Sequence, residues 1–206
     1  LVLLPVFSST SNQKGCKMDI TYPDWENKLF KKVLRLEGGY QDNTADKGNY
    51  TKSDGTVLGT MRGITPKTYA AYHNKNINDV TVAEMKAISK EDAKKLYHEI
   101  YISKPKFDQL PENIRDSVID MGINHGPVRT IKKLQKLAGL TGRNIDGKIG
   151  PVTIQAVENN ITSESWATRR IQHYEKIVEQ DPVQRQFLRG WKRRANKLVQ
   201  KKYGKD

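Results

Sequence analysis

Three side chains that could do chemistry together follow one another within a short stretch of the chain. Asp46 follows Glu37 with eight residues between them, and Thr51 follows Asp46 with four residues between them. A protonated carboxyl group, a second carboxylate and a hydroxyl that holds water are the groups needed to cleave a glycosidic bond. The alternative interpretation is that Glu37 is a solvated acid at a helix end and that Asp46 and Thr51 belong to a polar turn.

The element that must position Glu37 is an amphipathic helix. Asp24 is a suitable N-cap, and an apolar face recurs at three- and four-residue spacing through Trp25, Leu29, Phe30, Val33, Leu34 and Leu36. Gly38-Gly39 is expected to end the helix and leave Glu37 in its last turn. The helix dipole and partial desolvation would both raise the pKa of this carboxyl group, as a general acid requires.

Three motifs occur in a fixed order around these residues: Glu37-Gly38-Gly39-Tyr40, Asp46-Lys47-Gly48-Asn49-Tyr50-Thr51 and Gly63-Ile64-Thr65. The set resembles glycoside hydrolase family 108, a family of N-acetylmuramidases some of whose members are known as secretion activators. The Glu–Asp–Thr spacing is also similar to the triad of phage-type lysozymes. The resemblance implies a peptidoglycan muramidase, inverting in outcome, that cuts the β-1,4 bond between N-acetylmuramic acid and N-acetylglucosamine.

The same resemblance assigns roles to individual residues. Glu37 would be the general acid, with Asp46 and Thr51 as its catalytic partners. Tyr40, Ile64 and Asn124 would bind the sugar chain. The sequence departs from the family pattern at two places, because Asn49 replaces a second glycine and an insertion, 52–62, precedes Gly63. Within the insertion, Asp54-Gly55 and Val57-Leu58 predict a small hairpin lip.

The rest of the chain is helical in pattern, which predicts a mainly α fold with a small β-hairpin lip near the active site. The resemblance implies that this fold is lysozyme-like. Helix starts are indicated by Thr65-Pro66, by capping boxes at 81–84 and 89–92, and by Pro111 and Pro127. We predict a leader or non-native extension over 1–17, a lysozyme-like region over 18–108 and a second helical region over 109–206.

The second region has its own motif. Leu134-Gln135, Ile145–Thr153 with Asp146-Gly147 and Gly150-Pro151, and the later Gly190-Trp191 resemble small helical peptidoglycan-binding modules. The alternative is that the segment is only an interhelical loop, with a tight turn at Asp146-Gly147 and a helix start at Pro151.

Charge points to an anionic partner. The formal net charge is +13, and residues 169–206 hold twelve Lys or Arg against four Asp or Glu, a surplus of eight. Val183, Phe187, Trp191, Ala195 and Leu198 form an apolar stripe there, which indicates a docked helix with a solvated basic face. We therefore favour peptidoglycan and anionic envelope polymers as partners over nucleic acid.

The histidines and the single cysteine limit the kinds of site that the chain can form. The four histidines show no paired metal-ligand spacing, so no metal or organic cofactor is expected. Cys16 is the single cysteine, which excludes an intrachain disulfide.

The apolar start of the chain indicates either the end of a signal peptide or an extension upstream of Met18. The protein would act in the periplasm or cell wall, reached by a signal peptide or by phage-type release.

Two alternatives to a hydrolase remain open at this stage. A lytic transglycosylase needs only one catalytic Glu and would produce anhydro-muramyl ends. A non-catalytic protein would use the same fold to bind the wall or to assist secretion.

Overall fold

The computed structural model describes residues 24–33, 38–44, 46 and 48–199. Its helices in chain order are α1 (Asp24–Val33), α2 (Pro66–Tyr72), α3 (Val82–Lys86), α4 (Lys90–His98), α5 (Glu112–His125), α6 (Pro127–Leu137), α7 (Pro151–Asn160), α8 (Ser163–Gln180) and α9 (Arg185–Val199). A π-helical turn, Glu99–Ser103, extends α4. The predicted mainly α, lysozyme-like fold is confirmed.

Four short strands form two antiparallel pairs between α1 and α2. They are β1 (Tyr40–Gln41), β2 (Tyr50–Thr51), β3 (Val57–Leu58) and β4 (Thr60–Met61), with β1 pairing β4 and β2 pairing β3. The β2–β3 hairpin is the predicted lip. It turns at Asp54-Gly55, where Gly55 takes a φ of 83° and the Asp54 carboxylate accepts from the backbone N–H of Thr56 at 2.9 Å. The outer pair β1–β4, which closes the insertion at its base, was not predicted.

Helix starts follow the capping signals in the sequence. The Thr65 hydroxyl caps α2 by accepting from Thr68 N–H, with Pro66 in the first turn. Both predicted capping boxes are present, one at Thr81 with Glu84 and one at Ser89 with Asp92. Each box satisfies backbone N–H groups that have no partner within the helix.

One apolar core joins the strand region to the helices. Leu29 and Phe30 of α1, Leu58 of the lip and Ile64 are buried together with the inner faces of α4, α5 and α6. The described part of α1 is also tied to α4 by a polar contact between the buried Glu26 carboxylate and Nδ1 of His98. Burial, the largest cause, raises the pKa of Glu26, and His98 opposes this shift.

Helices α5, α8 and α9 are held together by a buried charge cluster. Asp120 and Arg170 are fully buried, and a nitrogen of Arg170 lies 2.5 Å from the Asp120 carboxylate. Arg194 donates through two nitrogens to the other oxygen of Asp120, at 2.8 and 2.5 Å. Helix α9 is therefore docked as expected, although Val183 and Phe187 of the predicted apolar stripe are exposed, while Ala195 is buried.

Candidate active site

The Asp46 carboxylate is exposed and held in one orientation. Its Oδ2 accepts from Nε2 of Gln41 at 2.9 Å, and its Oδ1 accepts from the backbone N–H of Gly48 at 2.8 Å. The backbone is fixed as well, since Asp46 N–H donates to Asn43 O and Asn49 N–H donates to Asp46 O, both at 3.0 Å. Glu37, the predicted general acid, lies outside the described residues.

Behind Asp46 lies a network of amide side chains. Gln41 and Asn49 face each other, with Asn49 Nδ2 donating to Gln41 Oε1 at 3.0 Å and also to Asn43 O at 2.9 Å. The buried Thr60 hydroxyl donates to Asn49 Oδ1 at 2.7 Å. Because Gln41 of β1 is in register with Thr60 of β4, the outer strand pair directly supports the loop that carries Asp46.

Thr51 lies on a different strand pair from this network. It is an exposed residue of β2, in register with Val57 of β3. No hydrogen bond of its side chain is present among the described residues. Thr51 thus has a hydroxyl open to solvent, whereas Thr60 is the threonine connected to Asp46, through Asn49 and Gln41.

Tyr40 lies half-buried at the start of β1. Its hydroxyl accepts from the Gly59 backbone N–H at 3.1 Å, and the Lys86 ammonium lies 4.8 Å from the ring centroid. A Cβ at Gly59 would approach the ring to 2.5 Å, so the glycine is required for this contact. The Tyr40 side chain therefore joins the lip to α3 while part of its surface stays exposed.

The other two predicted sugar-binding residues occupy different environments. The Ile64 side chain is fully buried in the core, so the prediction that it contacts sugar is corrected to a supporting role beneath the strands. Asn124 is exposed near the end of α5 and donates from Nδ2 to the backbone oxygen of Asp120 at 2.6 Å. Its predicted role in sugar binding stays a prediction.

A tight turn explains the Gly-Ile-Thr motif. Arg62 and Gly63 both have positive φ, 51° and 79°, and Met61 and Ile64 exchange backbone hydrogen bonds of 3.1 and 2.7 Å across them. This is the geometry of a two-residue hairpin turn. A Cβ at Gly63 would also lie 2.6 Å from the Tyr97 hydroxyl oxygen. Thr65 then caps α2, so the motif reverses the chain and begins a helix.

The motif of the second region forms a loop whose polar groups hydrogen-bond to one another. The buried Gln135 donates from Nε2 to Asp146 Oδ1 at 2.9 Å, to Lys148 O at 3.0 Å and to Thr153 Oγ1 at 3.2 Å. Its Oε1 accepts from Gly147 N–H at 3.0 Å. These contacts explain the Gln, Asp-Gly and Thr of the motif as structural residues.

Two concave regions lie away from Asp46. One, of about 500 Å³, is lined by residues of the π-helical turn, α6 and the Asp146-Gly147 loop. The other, of about 430 Å³, lies between α2, α3 and α4 and includes Tyr69 and His73. Neither is lined by a predicted catalytic residue. Within the described ranges, no group of three or more His, Cys, Asp or Glu side chains is arranged to hold a metal ion.

The strand-supported carboxylate loop and the helical core form a lysozyme-like fold, and further helices follow after residue 126. The chain matches the family model of glycosyl hydrolase 108 over residues 30–126 and that of a predicted peptidoglycan domain over residues 129–196. The two matched regions, which we call the first and the second domain, follow one another in the order expected from the motifs. Its function is peptidoglycan-related.

The chain is also similar to a solved structure titled "Structure of Brucella abortus SagA". The two share 27% sequence identity with a TM-score of 0.63, and the similarity covers 86% of this chain and 97% of that one. No curated protein matches the chain. None of the helices in the described part of the chain has the length and apolar character of a membrane-spanning segment.

Sequence reasoning missed Gln41 and Thr60 and treated Asn49 only as a departure from a family pattern. Gln41 follows the Glu-Gly-Gly-Tyr motif directly, and Thr60 precedes Gly63 by three residues, so both signals were adjacent to motifs already identified. These two residues are brought together by the β1–β4 register. That pairing was not evident in the sequence because the insertion separates the two motifs.

Proposed function

We propose that the protein is an N-acetylmuramidase that hydrolyses the β-1,4 bond between N-acetylmuramic acid and N-acetylglucosamine in peptidoglycan. The observation that supports this most is the Asp46 carboxylate, exposed yet fixed by Gln41 and Gly48 within a glycosyl hydrolase 108 domain. A carboxylate held in one orientation by preformed donors is suited to stabilise positive charge that develops at the sugar.

The proposed chemistry has two parts. Glu37 protonates the glycosidic oxygen as the leaving sugar departs, and Asp46 stabilises the oxocarbenium-like centre or orients the attacking water. The exposed Thr51 hydroxyl helps hold that water, and direct attack inverts the anomeric configuration. Gln41, Asn49 and Thr60 act as positioning residues, because they reach the reaction only through Asp46.

The second domain retains the polymer while the first cuts it. Peptidoglycan glycan strands are the proposed substrate, and the protein would act in the periplasm or cell wall. The exposed surface of Tyr40 and the exposed Asn124 are proposed to contact the sugar chain.

Product analysis on purified peptidoglycan tests this function. Wild type should release fragments with reducing N-acetylmuramic acid ends, which borohydride converts to muramitol. Asp46→Asn should lose about 10²–10⁴-fold in rate, whereas Asp42→Asn, an exposed carboxylate in the same loop, should retain it. Anhydro-muramyl ends would instead establish a transglycosylase, and binding without any cleavage would establish a wall-binding protein.

A further inference from the structure

Five cations gather on one surface of the second domain. Arg129, Lys133 and Lys136 follow one another along α6 at four- and three-residue spacing, and Arg169 and Lys176 lie seven residues apart on α8. This spacing places each set on one side of its helix, and α6 packs against α8. We call these five residues the α6–α8 cationic face.

The charges of the face are close enough to act on one another. The pKa of Lys133 is lowered first by burial and then by Arg169, Lys136, Lys176 and Arg129. Lys133 and Arg169 are half-buried and form the inner part of the face, while the other three cations are exposed. His173, on α8 between Arg169 and Lys176, is uncharged at neutral pH because burial and the nearby cations lower its pKa to about 4.

The described part of the chain provides this surface with no ion-pairing carboxylate. Among the described residues, none of the five cations forms an ion pair with a carboxylate, although Lys75 pairs with Glu84 at 2.5 Å and Lys192 pairs with Glu175 at 2.6 Å elsewhere. The buried Asp120 nearby is already bonded to Arg170 and Arg194. Like charges collected without a partner oppose folding, so this surface is suited to an external anion.

We propose that the α6–α8 cationic face binds free carboxylates of peptidoglycan stem peptides. All five cations lie inside the predicted peptidoglycan domain, residues 129–196. Each row is about 10 Å long, from a rise of about 1.5 Å per residue. This length suits a ligand with several separated anionic groups, and the arginines can form bidentate bonds with carboxylates. The inference rests on the proposed function only in taking peptidoglycan as the substrate.

A binding assay with matched charge variants tests the proposal. Every protein carries Asp46→Asn so that the wall stays intact, and the probe is purified peptidoglycan sacculi stripped of attached polymers. Replacing Arg129, Lys133, Arg169 and Lys176 with Gln should weaken co-sedimentation at low salt by at least about tenfold. The matched variant replaces four exposed cations of α9, Arg185, Arg189, Arg193 and Lys197, with Gln and should change affinity less than about threefold.

A second probe identifies the ligand. The parent carries only Asp46→Asn, and the face variant carries in addition the four Gln replacements on the α6–α8 cationic face. Glycan strands freed of peptides by an amidase should bind both proteins equally weakly. Equal losses in both charge variants, undiminished binding by the face variant, or full affinity of the parent for peptide-free strands would each overturn the proposal. Binding that requires attached phosphate polymers or nucleic acid would also overturn it.

The result is separable from the test of hydrolysis. Binding is measured without turnover, so a chain that does not cleave peptidoglycan still gives an answer for the face. Circular dichroism melting of both charge variants confirms that each is folded. Should the face variant unfold, single Arg129→Gln and Lys176→Gln changes at exposed positions replace it, each with an expected loss of about two- to fourfold.

Discussion

At the scale of single residues, Asn49 is the most informative side chain of the described site. It bonds to Gln41, to the Asn43 backbone and to the Thr60 hydroxyl, and so connects β1, the Asp46 loop and β4. A glycine at this position, as the resembled family has, could form none of these bonds. Asn49, which departs from the family pattern, therefore holds the Asp46 loop against strands β1 and β4.

Replacing Asn49 should impair catalysis more than folding. Asn49→Ala removes the acceptor of the Thr60 hydroxyl and one of the two donors to Gln41 Oε1, leaving only the Asn43 N–H. Gln41, and through it Asp46, is then held less firmly in its orientation. We expect kcat on peptidoglycan to fall at least about tenfold, with KM nearly unchanged, because misplaced catalytic groups reduce the rate without removing contacts to the polymer. Initial rates of reducing-end release measure both parameters.

Asn144→Ala, at an exposed position of the second domain, is the matched control. A wild-type kcat for Asn49→Ala would show that the network does not position Asp46.

At the scale of elements, the turn after β4 is more sensitive to replacement of its glycine, Gly63, than the lip is to replacement of Gly55. Gly63 combines a φ of 79° with a Cβ position 2.6 Å from the Tyr97 hydroxyl oxygen, whereas Gly55 has a φ of 83° and open space around it. Gly63→Ala should lower the free energy of unfolding by about 2–3 kcal/mol and Gly55→Ala by about 1 kcal/mol. Denaturant titration of both variants measures the difference, and equal losses would contradict the steric argument.

The loop of the second domain depends on Gln135. Gln135→Leu would leave the buried Gly147 N–H without an acceptor and Asp146 without its side-chain donor. We expect a loss of about 2–3 kcal/mol in the free energy of unfolding. Gln155→Leu, on an exposed position of α7, should stay within about 0.5 kcal/mol of wild type. An unaffected Gln135→Leu would show that the motif residues do not hold the loop.

Elements set by local signals were predictable, and those set by distant contacts were not. Thr81 with Glu84 and Pro127 indicated helix starts because caps and first-turn prolines act within a few residues. The β1–β4 pairing was missed, because it joins residues about twenty positions apart through only two register pairs. The same reason applies to Arg170, whose burial depends on Ser117 and Asp120, on another helix.

At the scale of the whole molecule, the positive charge is organised rather than uniform. Basic residues of α9 include Arg194, which is used to dock that helix on Asp120, while the α6–α8 cationic face has no such partner among the described residues. The sequence predicted attraction to an anionic envelope from net charge alone. Only the packing of α6 on α8 shows which cations are gathered on one surface.

This arrangement makes stability depend on pH. The pKa of His173 is about 4 in the folded protein against an ordinary value of 6.5, with Lys133, His125, Arg169 and Arg129 facing it. The unfolded chain therefore binds a proton first as pH falls from 6.5 to 4, so stability present above this window is lost across it.

His173→Gln should reduce the acid-induced loss in unfolding free energy by about 1–2 kcal/mol between pH 6.5 and pH 4, a value that allows for the partial exposure of the ring. Urea titrations at a series of pH values measure it. Parallel stability curves for wild type and His173→Gln would contradict the assignment. His73→Gln, at an exposed histidine of the first domain, is the control and should leave the curve unchanged.

The initial rate of reducing-end release from purified peptidoglycan, compared between wild type and Glu37→Gln, tests the central claim most directly. The substitution removes the proton donor while preserving size, so we expect a loss of about 10²–10⁴-fold. Glu91→Gln, at an exposed carboxylate in the first turn of α4, should keep the wild-type rate. Wild-type cleavage by Glu37→Gln would contradict the account, because no general acid would then be needed at that position.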